Sequence, residues 1–278
     1  MVKKRMLAMI TAVVLGVTVF SGCGGGTSTD NQTAGTSTAS AAETGSIKDE
    51  LILGCDTNFA PMAYMDNGNV VGFDIDLAKA VIEDKMGKKL TIQPINWDSK
   101  EAELETGKVD IIWNGLTITD ERKKKMNMSK PYMENKQVVV VPKDSAIKTP
   151  EDLAGKTVGM QKESTAVQAF QDSGIKAKET VELKDNVACL TELASKRIDA
   201  IVMDSVVADY YLSKNPTQYP FHTLDKALSN EFYGIAVKKG NDTLLKAIQD
   251  AFDQCVADGT AGKIATQWFG SDTIYKES

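Results

Sequence analysis

The length and composition of this chain exclude several classes of protein. Its 278 residues are 42% hydrophobic, so they can bury one large core or two moderate ones, and a wholly disordered chain is excluded. A formal net charge of -6 argues against nucleic acid as a partner. The single histidine, His222, and four scattered cysteines offer no metal-ligand spacing and no Cys/His or Ser/His/Asp set. We therefore expect no metal, no cofactor and none of the common hydrolase chemistries.

The N-terminus has the pattern of an export signal. A basic cluster at residues 3–5 precedes an apolar run over residues 6–20, which is shorter than the roughly 17–25 residues of a membrane-spanning helix. The sequence FSGC at residues 20–23 resembles a bacterial lipobox, although Phe20 stands where leucine is usual. This resemblance implies a lipoprotein signal peptide over residues 1–22 and a diacylglycerol on Cys23. The alternative is an ordinary secretory signal with an incidental cysteine.

The next segment, residues 23–46, is predicted to be a flexible tether. It consists mainly of Gly, Ser, Thr and Ala, and it has almost no bulky apolar side chain that could offset the entropy of ordering. We expect the folded part to begin near Ile47.

From Ile47 onward, predicted strands and helices alternate, which indicates an α/β protein with mainly parallel sheets. Apolar runs predict strands over residues 51–55, 90–92, 109–113, 137–141, 157–160, 198–203 and 233–237. Amphipathic periodicity predicts helices over residues 75–86, 98–105, 165–171, 185–195, 205–212 and 242–257, a helical turn at 151–153 and a final amphipathic turn through Trp268 and Phe269.

The stretch from Trp113 to Arg122, WNGLTITDER, is predicted to be a strand end, a tight turn and a helix start. Gly115 frees the backbone to turn, Thr119 is a good N-cap, and the first amide groups of the helix can hold an anion. Arg122 adds a planar set of donors suited to a carboxylate, and Thr117 brings a hydroxyl and an amide to the same place. The alternative is a capped surface helix with a solvated arginine.

This stretch resembles the signature S-G-x-[ST]-x-T-x-x-R of extracellular solute-binding proteins that supply polar amino acids to ABC transporters. Histidine-binding and lysine/arginine/ornithine-binding proteins typify that group. Further motifs extend the resemblance from about Leu51 to Gly270: GFDIDLA at 72–78, KPY at 130–132, EDLAGK at 151–156, IDA at 198–200 and DGT at 258–260.

The resemblance implies a two-lobed, periplasmic-binding-protein-like fold (type II) with two crossing hinge strands. Residues 137–141 and 233–237 match the crossings. Lobe 1 would be discontinuous, comprising residues 47–137 and 234–278, and lobe 2 would comprise residues 138–233.

The resemblance also implies a cleft that holds the carboxylate of an amino acid. Arg122 would grip the α-carboxylate, and Thr117 would serve both charged ends of the ligand. The segment VGMQKEST at 158–165 is similar to V-G-x-Q-x-G-[ST]-[ST], which implies that Ser164 and Thr165 complete the carboxylate site. On spacing alone, Ser164 is more often a plain N-cap than a ligand contact.

One residue in this segment departs from the family pattern. Glu163 stands where a glycine is usual. A carboxylate beside the site for another carboxylate would be repulsive unless its side chain points away or meets a cation.

The ammonium group of the ligand is expected to meet the carbonyl of Gly115 and the carboxylate of Asp204, which follows the IDA strand. The alternative for Asp204 is an N-cap of the next helix, and both roles can coexist. Phe59 and Trp97 match the positions that pack on the ligand from two sides, although core burial is the commoner role of such residues.

Asp56 and Asn114 are candidates for contact with the ligand's side chain. The remaining cysteines, Cys55, Cys189 and Cys255, lie in apolar contexts and are predicted to be free, buried thiols.

The resemblance implies a monomeric binding protein, tethered outside the membrane by its lipid, that delivers an amino acid to a permease and its ATPase. Because no cation is evident near the side-chain end of the expected site, we expect a polar, uncharged ligand and the weakest binding for an acidic one. The alternative is an enzyme of the cyclohexadienyl dehydratase type on the same scaffold, for which Glu163 is the candidate acid.

Overall fold

A computed structural model describes residues 46–276 of the chain. The predicted signal peptide, the lipidation site Cys23 and the predicted tether up to residue 45 lie outside the described residues. Within residues 46–276, none of the helices has the length and apolar character of a membrane span.

Strands and helices alternate through the described part, as the sequence predicts. The strands are β1 (Glu50–Cys55), β2 (Asn58–Phe59), β3 (Ala63–Asp66), β4 (Asn69–Val71), β5 (Lys89–Pro94), β6 (Ile111–Thr117), β7 (Met126–Met128), β8 (Met133–Pro142), β9 (Thr157–Gln161), β10 (Glu179–Leu183), β11 (Ala200–Asp204), β12 (Phe221–Thr223) and β13 (Ser229–Lys238). The helices are α1 (Phe73–Lys79, continued by a π-helical segment, Ala80–Lys85), α2 (Lys100–Glu105), α3 (Asp120–Lys125), α4 (Thr165–Asp172), α5 (Asn186–Ala194), α6 (Ser205–Lys214), α7 (Asp242–Ala257) and α8 (Thr260–Phe269), with 3-10 turns at Trp97–Ser99 and Pro150–Leu153.

Two parallel groups of strands are joined through a pair of long central strands. The order across the main sheet is β10-β9-β11-β8-β13-β6-β1-β5. Strand β1 is parallel to β5 and β6, and β9 is parallel to β10 and β11, whereas β8 and β13 are antiparallel to their neighbours. This is the predicted α/β, two-lobed arrangement with two crossing strands. The residue boundaries of the two lobes stay a prediction.

The crossing strands are longer than predicted. Ser229–Tyr233 of β13 pair with Met133–Gln137 of β8, and beyond these segments β13 pairs with β6 and β7 while β8 pairs with β11 and β12. The predicted crossings, residues 137–141 and 233–237, share only Gln137 and Tyr233 with the mutually paired segments. The reason is that the mutually paired segments alternate polar and buried residues, whereas the continuous apolar runs lie beyond them, inside each group of strands.

The predicted end of one strand was wrong. Residues 109–113 are predicted as a strand followed by a tight turn, but β6 continues through Thr117, which pairs with Tyr233. The ladder with β13 is interrupted between Gly234 and Ala236, and Gly115 has a φ of 54° within this irregular segment. Gly115 therefore bends the backbone inside a strand, because pairing with β13 holds the chain extended on both sides of it.

Several short strands escape the sequence pattern. Strands β2, β3 and β4 form a separate small sheet, and β7, β10 and β12 are further strands that the apolar pattern does not mark. They have few buried residues or only two or three residues each, so their pairing partners rather than their own hydrophobicity define them. In contrast, α7 coincides with the predicted helix over residues 242–257.

Candidate functional site

The carboxyl ends of the parallel strands converge on one cleft. Strands β1, β6, β9 and β11 each end there, as ligand sites do in open α/β sheets. The cleft narrows here to a small cavity of about 10 Å³. Its lining residues are Phe59, Trp97, Gly115, Thr117, Arg122, Gln161, Ser164, Thr165 and Asp204. All but Gln161 are among the site residues predicted from the sequence.

Arg122 is a buried cation with backbone partners only. Thr119 caps α3 by accepting a hydrogen bond from the Arg122 amide at 3.1 Å, as predicted, and this fixes the start of the helix. Arg122 is 7% exposed, and its guanidinium donates to the carbonyl oxygens of Thr117 (2.8 Å) and Glu163 (3.3 Å). Among residues 46–276, no carboxylate forms an ion pair with it.

The electrostatics of Arg122 favour an added anion. Burial lowers the pKa of its guanidinium, and the charges of Glu231 and Asp204 act in the opposite direction. The two carbonyl contacts use only two of the five donors of a guanidinium. A carboxylate in the cavity could therefore form further charge-assisted hydrogen bonds with Arg122.

Asp204 is a buried carboxyl group that accepts several side-chain hydrogen bonds. Its Oδ1 atom accepts hydrogen bonds from Asn135 Nδ2 (2.5 Å), Gln137 Nε2 (3.0 Å) and the Tyr233 hydroxyl (2.8 Å). Asp204 occupies the N-cap position of α6, but its side chain makes no capping hydrogen bond. Burial, followed by the charge of Glu231, raises the pKa of Asp204 to about 7. The side chain therefore serves the cleft and not the helix end.

Two threonine hydroxyls meet across the cleft and are linked to a carboxylate that sequence reasoning missed. Thr117 Oγ1 lies 3.2 Å from Thr165 Oγ1, which donates to Glu231 Oε2 at 2.8 Å. Gln137 Nε2 also donates to Thr165 Oγ1 at 3.3 Å. Glu231 and Gln137 belong to the mutually paired segments of β13 and β8, where the alternation of buried and exposed residues is the only sequence signal that could have found them.

Gly115 is held in place by the GFDIDLA motif. Its amide donates to Asp74 Oδ2 at 2.7 Å, and the buried Asp74 carboxylate also accepts from the Tyr132 hydroxyl at 2.9 and 3.0 Å. A side chain at Gly115 would approach Cε1 of Phe59 to 2.6 Å. Both the positive φ and the contact with Phe59 therefore require glycine at this position.

The two aromatic side chains form the walls of a flat slot. The rings of Phe59 and Trp97 are 6.5 Å apart between centroids and inclined by 12°. A planar group between two parallel faces needs roughly 7 Å, because each contact takes about 3.5 Å. The centroid distance is the upper limit of the spacing between the ring planes, so the rings must move apart before a flat side-chain group can lie between them.

Lys100, a second residue that sequence reasoning missed, lies beside this slot. It is 1% exposed, its Nζ is 4.9 Å from the Trp97 ring centroid, and it donates to the carbonyl oxygens of Trp97 (3.3 Å) and Glu163 (3.1 Å). Burial, with the nearby Arg122 charge, lowers the pKa of Lys100 to about 8. The sequence-based statement that no cation lies at this end of the site was therefore wrong, although Lys100 does not line the cavity.

Asp56 and Asn114 lie behind the cavity wall. Asp56 accepts hydrogen bonds from the Asn58 amide (2.8 Å) and from Gln161 Nε2 (2.7 Å), and its own amide donates to Asn114 Oδ1 (2.6 Å). Burial is the largest influence on the Asp56 carboxyl and raises its pKa. The structure thus connects Asp56 to the cavity through Gln161, which lines it and also accepts from Asn186 Nδ2 at 3.1 Å.

The backbone conformation of Glu163, in the segment before α4, explains why the family pattern has glycine at this position. Glu163 has a φ of 57°, a conformation that favours glycine, and its side chain is exposed while its carbonyl faces Arg122 and Lys100. Glu163 therefore does not place an acid in the cavity. Ser164 occupies the N-cap position without a side-chain capping bond, because its hydroxyl donates to the Gln161 carbonyl at 2.8 Å.

The described residues form no metal site, and their cysteine thiols are not reactive. Among residues 46–276, no cluster of His, Cys, Asp and Glu side chains could hold a metal ion. Cys55, Cys189 and Cys255 are buried and unpaired, which confirms the prediction of free thiols. Burial raises the pKa of Cys55 and of Cys189 to about 12, so these thiols have little thiolate character at neutral pH.

The sequence and the fold are similar to those of proteins of known function. The chain is 31% identical over 225 residues to the L-cystine-binding protein TcyJ of Escherichia coli (strain K12), covering 80% of this chain and 83% of that protein. A substrate-binding protein of an ABC uptake transporter from Streptococcus pneumoniae, solved with bound histidine, has a TM-score of 0.78 and 38% identity over 82% of this chain and 95% of its own.

A third neighbour has a connection to an enzyme. It is the ancestral amino acid-binding protein AncCDT-1, described as a precursor of cyclohexadienyl dehydratase, with a TM-score of 0.73, 38% identity and coverage of 80% of this chain and 96% of its own. The family model of the bacterial extracellular solute-binding proteins, family 3, matches residues 51–271. The chain therefore belongs to family 3 of the bacterial extracellular solute-binding proteins.

Proposed function

We propose that this protein is the lipid-anchored, monomeric substrate-binding component of an amino acid ABC importer. It closes on a zwitterionic amino acid and delivers it to a permease with its ATPase. The observation that carries this proposal is the buried guanidinium of Arg122, which faces a cavity and has carbonyl partners only. A buried charge without a counter-charge is unfavourable, so a ligand carboxylate that pairs with Arg122 gains a strong interaction.

The opposite charge of the ligand is matched by Asp204. Three hydrogen bonds reach its Oδ1 atom, and Asp204 also lines the cavity. An ammonium group has three donors. Asp204, the carbonyl of Gly115 and the hydroxyl of Thr117 are the acceptors that we assign to them.

The side-chain end of the site favours a polar, uncharged group. Asp56 is already bonded by Gln161 Nε2, and Lys100 is bonded by two carbonyl oxygens, so neither leaves an open charge facing the cavity. Phe59 and Trp97 present nearly parallel rings to the cavity, and a flat or slender group such as an amide or a disulfide would lie between them once the rings move apart. We therefore propose a ligand such as glutamine or cystine and expect glutamate and aspartate to bind worst.

A thermal-shift panel of the common L-amino acids and L-cystine at equal concentration tests this proposal, because a ligand that binds the folded state raises the unfolding temperature. We expect the largest shifts for neutral polar ligands, confirmed by titration calorimetry. If glutamate or aspartate gives the largest shift, the charge argument is wrong and Lys100 contributes to the pocket. If no amino acid shifts the transition, amino acid binding itself is wrong. Mass spectrometry of ligand released from the purified protein gives an independent answer.

Catalysis of the dehydratase type is the second candidate, favoured only by the similarity to AncCDT-1. A dehydratase needs a general acid in the cleft, and the acid proposed from the sequence, Glu163, has an exposed side chain. We expect no turnover when the protein is incubated with cyclohexadienyl substrates. Product formation above that of a heat-denatured control would overturn the assignment as a binding protein.

The lipid anchor is proposed from the sequence around Cys23 alone. Cys23→Ala should move the protein from the membrane fraction to the soluble fraction, because the tether composition offers no other means of attachment. A Ser21→Ala variant, which keeps the cysteine, serves as the control. Retention of Cys23→Ala in the membrane fraction would indicate an uncleaved apolar anchor instead.

A further inference from the structure

The hydrogen bonds between Thr117, Thr165 and Glu231 have a direction. Thr165 has one hydroxyl proton, and it donates that proton to Glu231 Oε2 at 2.8 Å. An ionised carboxylate accepts hydrogen bonds and cannot return one. The 3.2 Å contact between the two threonine hydroxyls must then be a donation from Thr117 to Thr165. Both hydroxyl protons therefore point along this series of hydrogen bonds toward Glu231.

This direction decides what the two hydroxyls can offer a ligand. Thr165 Oγ1 accepts from Thr117 and from Gln137 Nε2 (3.3 Å), so both of its lone pairs are in use and its proton is committed to Glu231. Thr117 lines the cavity, and because its hydroxyl proton is donated to Thr165, Oγ1 can offer only lone pairs to a ligand there. An oxygen lone pair attracts an N–H donor and repels a carboxylate.

From this geometry we infer, on the basis of the proposed function, that Glu231 is a positioning residue. It fixes Thr117 as an acceptor for the ligand's α-ammonium group and thereby makes the site select amino acids over acids that lack this group. The α-carboxylate is left to Arg122 and to backbone amides. This role differs from that of Asp204, because Glu231 acts through Thr165 and does not line the cavity.

The surroundings of Glu231 support this role. Its side chain is 9% exposed, and its Oε1 atom has no hydrogen-bond partner within residues 46–276. A second carboxylate so close to Asp204 is unfavourable in an empty site and becomes favourable when a cationic group enters. Glu231 therefore adds negative charge on the ammonium side of the cleft.

The protonation of Asp204 gives an additional readout. The charged and titratable groups that face it are Glu231 and Tyr233 from β13 and Arg122 from α3, while Asn135 and Gln137 of β8 donate hydrogen bonds. The charge of Glu231 is the second largest cause, after burial, of the raised pKa of Asp204, about 7. Pairing with an ammonium group requires the ionised form, so affinity should fall as the pH is lowered below about 7.

The test compares ligand preference in three proteins by titration calorimetry. The probes are the L-amino acid that gives the largest thermal shift and the 2-hydroxy acid with the same side chain, for example L-glutamine and 2-hydroxyglutaramate. The proteins are the wild type, Glu231→Gln and the matched control Glu134→Gln, which makes the same change at an exposed position of β8. In Glu231→Gln the side-chain amide can donate to Thr165, so the direction of the hydrogen bonds between Thr117 and Thr165 is no longer fixed.

We expect Glu231→Gln to lower the preference for the amino acid over the hydroxy acid by about 10-fold or more, a typical effect for a hydrogen bond to a charged group. Its loss of affinity at low pH should also begin at a lower pH than in the wild type. Glu134→Gln should match the wild type in both measurements. Unchanged preference and an unchanged pH profile in Glu231→Gln would overturn the inference while the proposed function stands.

A second variant covers the case in which Glu231→Gln does not fold. Thr165→Val removes the hydroxyl that links Thr117 to Glu231 but keeps the charge of Glu231. The preference for the amino acid over the hydroxy acid should therefore fall, while the pH profile stays as in the wild type. Wild-type preference in Thr165→Val would also overturn the inference. If the wild type itself binds no amino acid, the proposed function has failed, and the inference fails with it.

Discussion

The two charged ends of the cleft are built in opposite ways. Arg122 is a buried cation whose partners are two carbonyl oxygens, whereas Asp204 is a buried anion that accepts three hydrogen bonds and has Arg122 and Glu231 as charged neighbours. The protein therefore gives Asp204 three side-chain donors, although burial and Glu231 still raise its pKa to about 7, and it gives Arg122 carbonyl partners only. This difference implies that the carboxylate of the ligand supplies more of the binding free energy than the ammonium group does.

The strongest test of this comparison is Arg122→Ala. If the guanidinium forms desolvated hydrogen bonds with the ligand, the variant should lose about 2–5 kcal/mol of binding free energy, roughly 30- to several thousand-fold in affinity. The free energy of unfolding of the ligand-free protein should change far less, because no internal ion pair is broken. Titration calorimetry and thermal unfolding measure the two quantities.

Arg197→Ala is the matched control for Arg122→Ala. Arg197 is exposed and paired with Glu192, so its removal should leave the affinity unchanged. Wild-type affinity in Arg122→Ala would show that Arg122 does not bind the ligand. Arg122→Lys should recover only part of the loss, because an ammonium cannot make two parallel hydrogen bonds with a carboxylate.

Asp204→Asn should have a smaller effect on binding and a distinctive effect on stability. We expect a loss of about 1.5–3 kcal/mol in binding free energy, which is the usual contribution of a hydrogen bond to a charged group. Burial raises the pKa of Asp204 from 3.8 to about 7, so the ligand-free wild type carries no penalty below pH 4 and loses stability as the pH rises to about 7. The variant should thus be more stable than the wild type at pH 8, by on the order of a few kcal/mol, and equally stable near pH 4.

Thermal or denaturant unfolding of the ligand-free proteins at both pH values measures this difference. Asp225→Asn, at an exposed position, is the control and should show no such pH dependence. Equal stability differences at pH 4 and pH 8 would contradict the description of Asp204 as a strained anion.

Gly115→Ala tests the end of the cleft that we assign to the ligand's ammonium group, because it should displace the Gly115 carbonyl. The substitution combines a positive φ with a contact of 2.6 Å to Phe59, so we expect a cost of about 1–3 kcal/mol in unfolding free energy. Gly107→Ala is a matched control, because Gly107 also has a positive φ (76°) but no atom within 4 Å of the added Cβ. Equal costs for both variants in denaturant unfolding would show that the contact with Phe59 contributes nothing.

The smallest effect is expected at the rim of the cleft. Lys162 pairs with Asp98 at 3.0 Å in a half-exposed ion pair that joins the segment before α4 to the segment before α2. Lys162→Met should weaken ligand binding by less than about 1 kcal/mol, and less still at high salt.

Small-angle scattering should show a smaller radius of gyration on ligand binding in both the wild type and Lys162→Met. Identical scattering with and without saturating ligand would argue against closure.

Local sequence signals predicted the parts of the site that depend on neighbouring residues. Thr119 was identified as the cap of α3, and Gly115 as the place where the backbone bends. Helix α7 lies where the amphipathic pattern put it. These features follow from short-range geometry, such as capping, a positive φ and helical periodicity, which a single segment already contains.

Glu231, Gln137 and Lys100 escaped prediction for a common reason. Each is a polar residue whose burial depends on a distant partner: Glu231 bonds to Thr165, 66 positions away, and Lys100 to the carbonyl of Glu163, 63 positions away. In their own segments they look like the solvent-facing residues of an amphipathic strand or helix. Only the pairing of β13 with β8, and the approach of the segment before α4 to α2, turn them inward.

The sequence by itself determined the alternation of strands and helices, the conformational need for Gly115, the capped start of α3 and most of the residues that line the cavity. Only the tertiary structure decided how the charges in that cavity are compensated. Hydrogen-bond partners are chosen by distance and direction in space, and in this cleft they come from strands and helices that are far apart in the chain. The sequence therefore identifies Arg122 and Asp204, while the packing of β6, β8, β13 and α4 adds Glu231 and decides which charged group has no ion-pair partner.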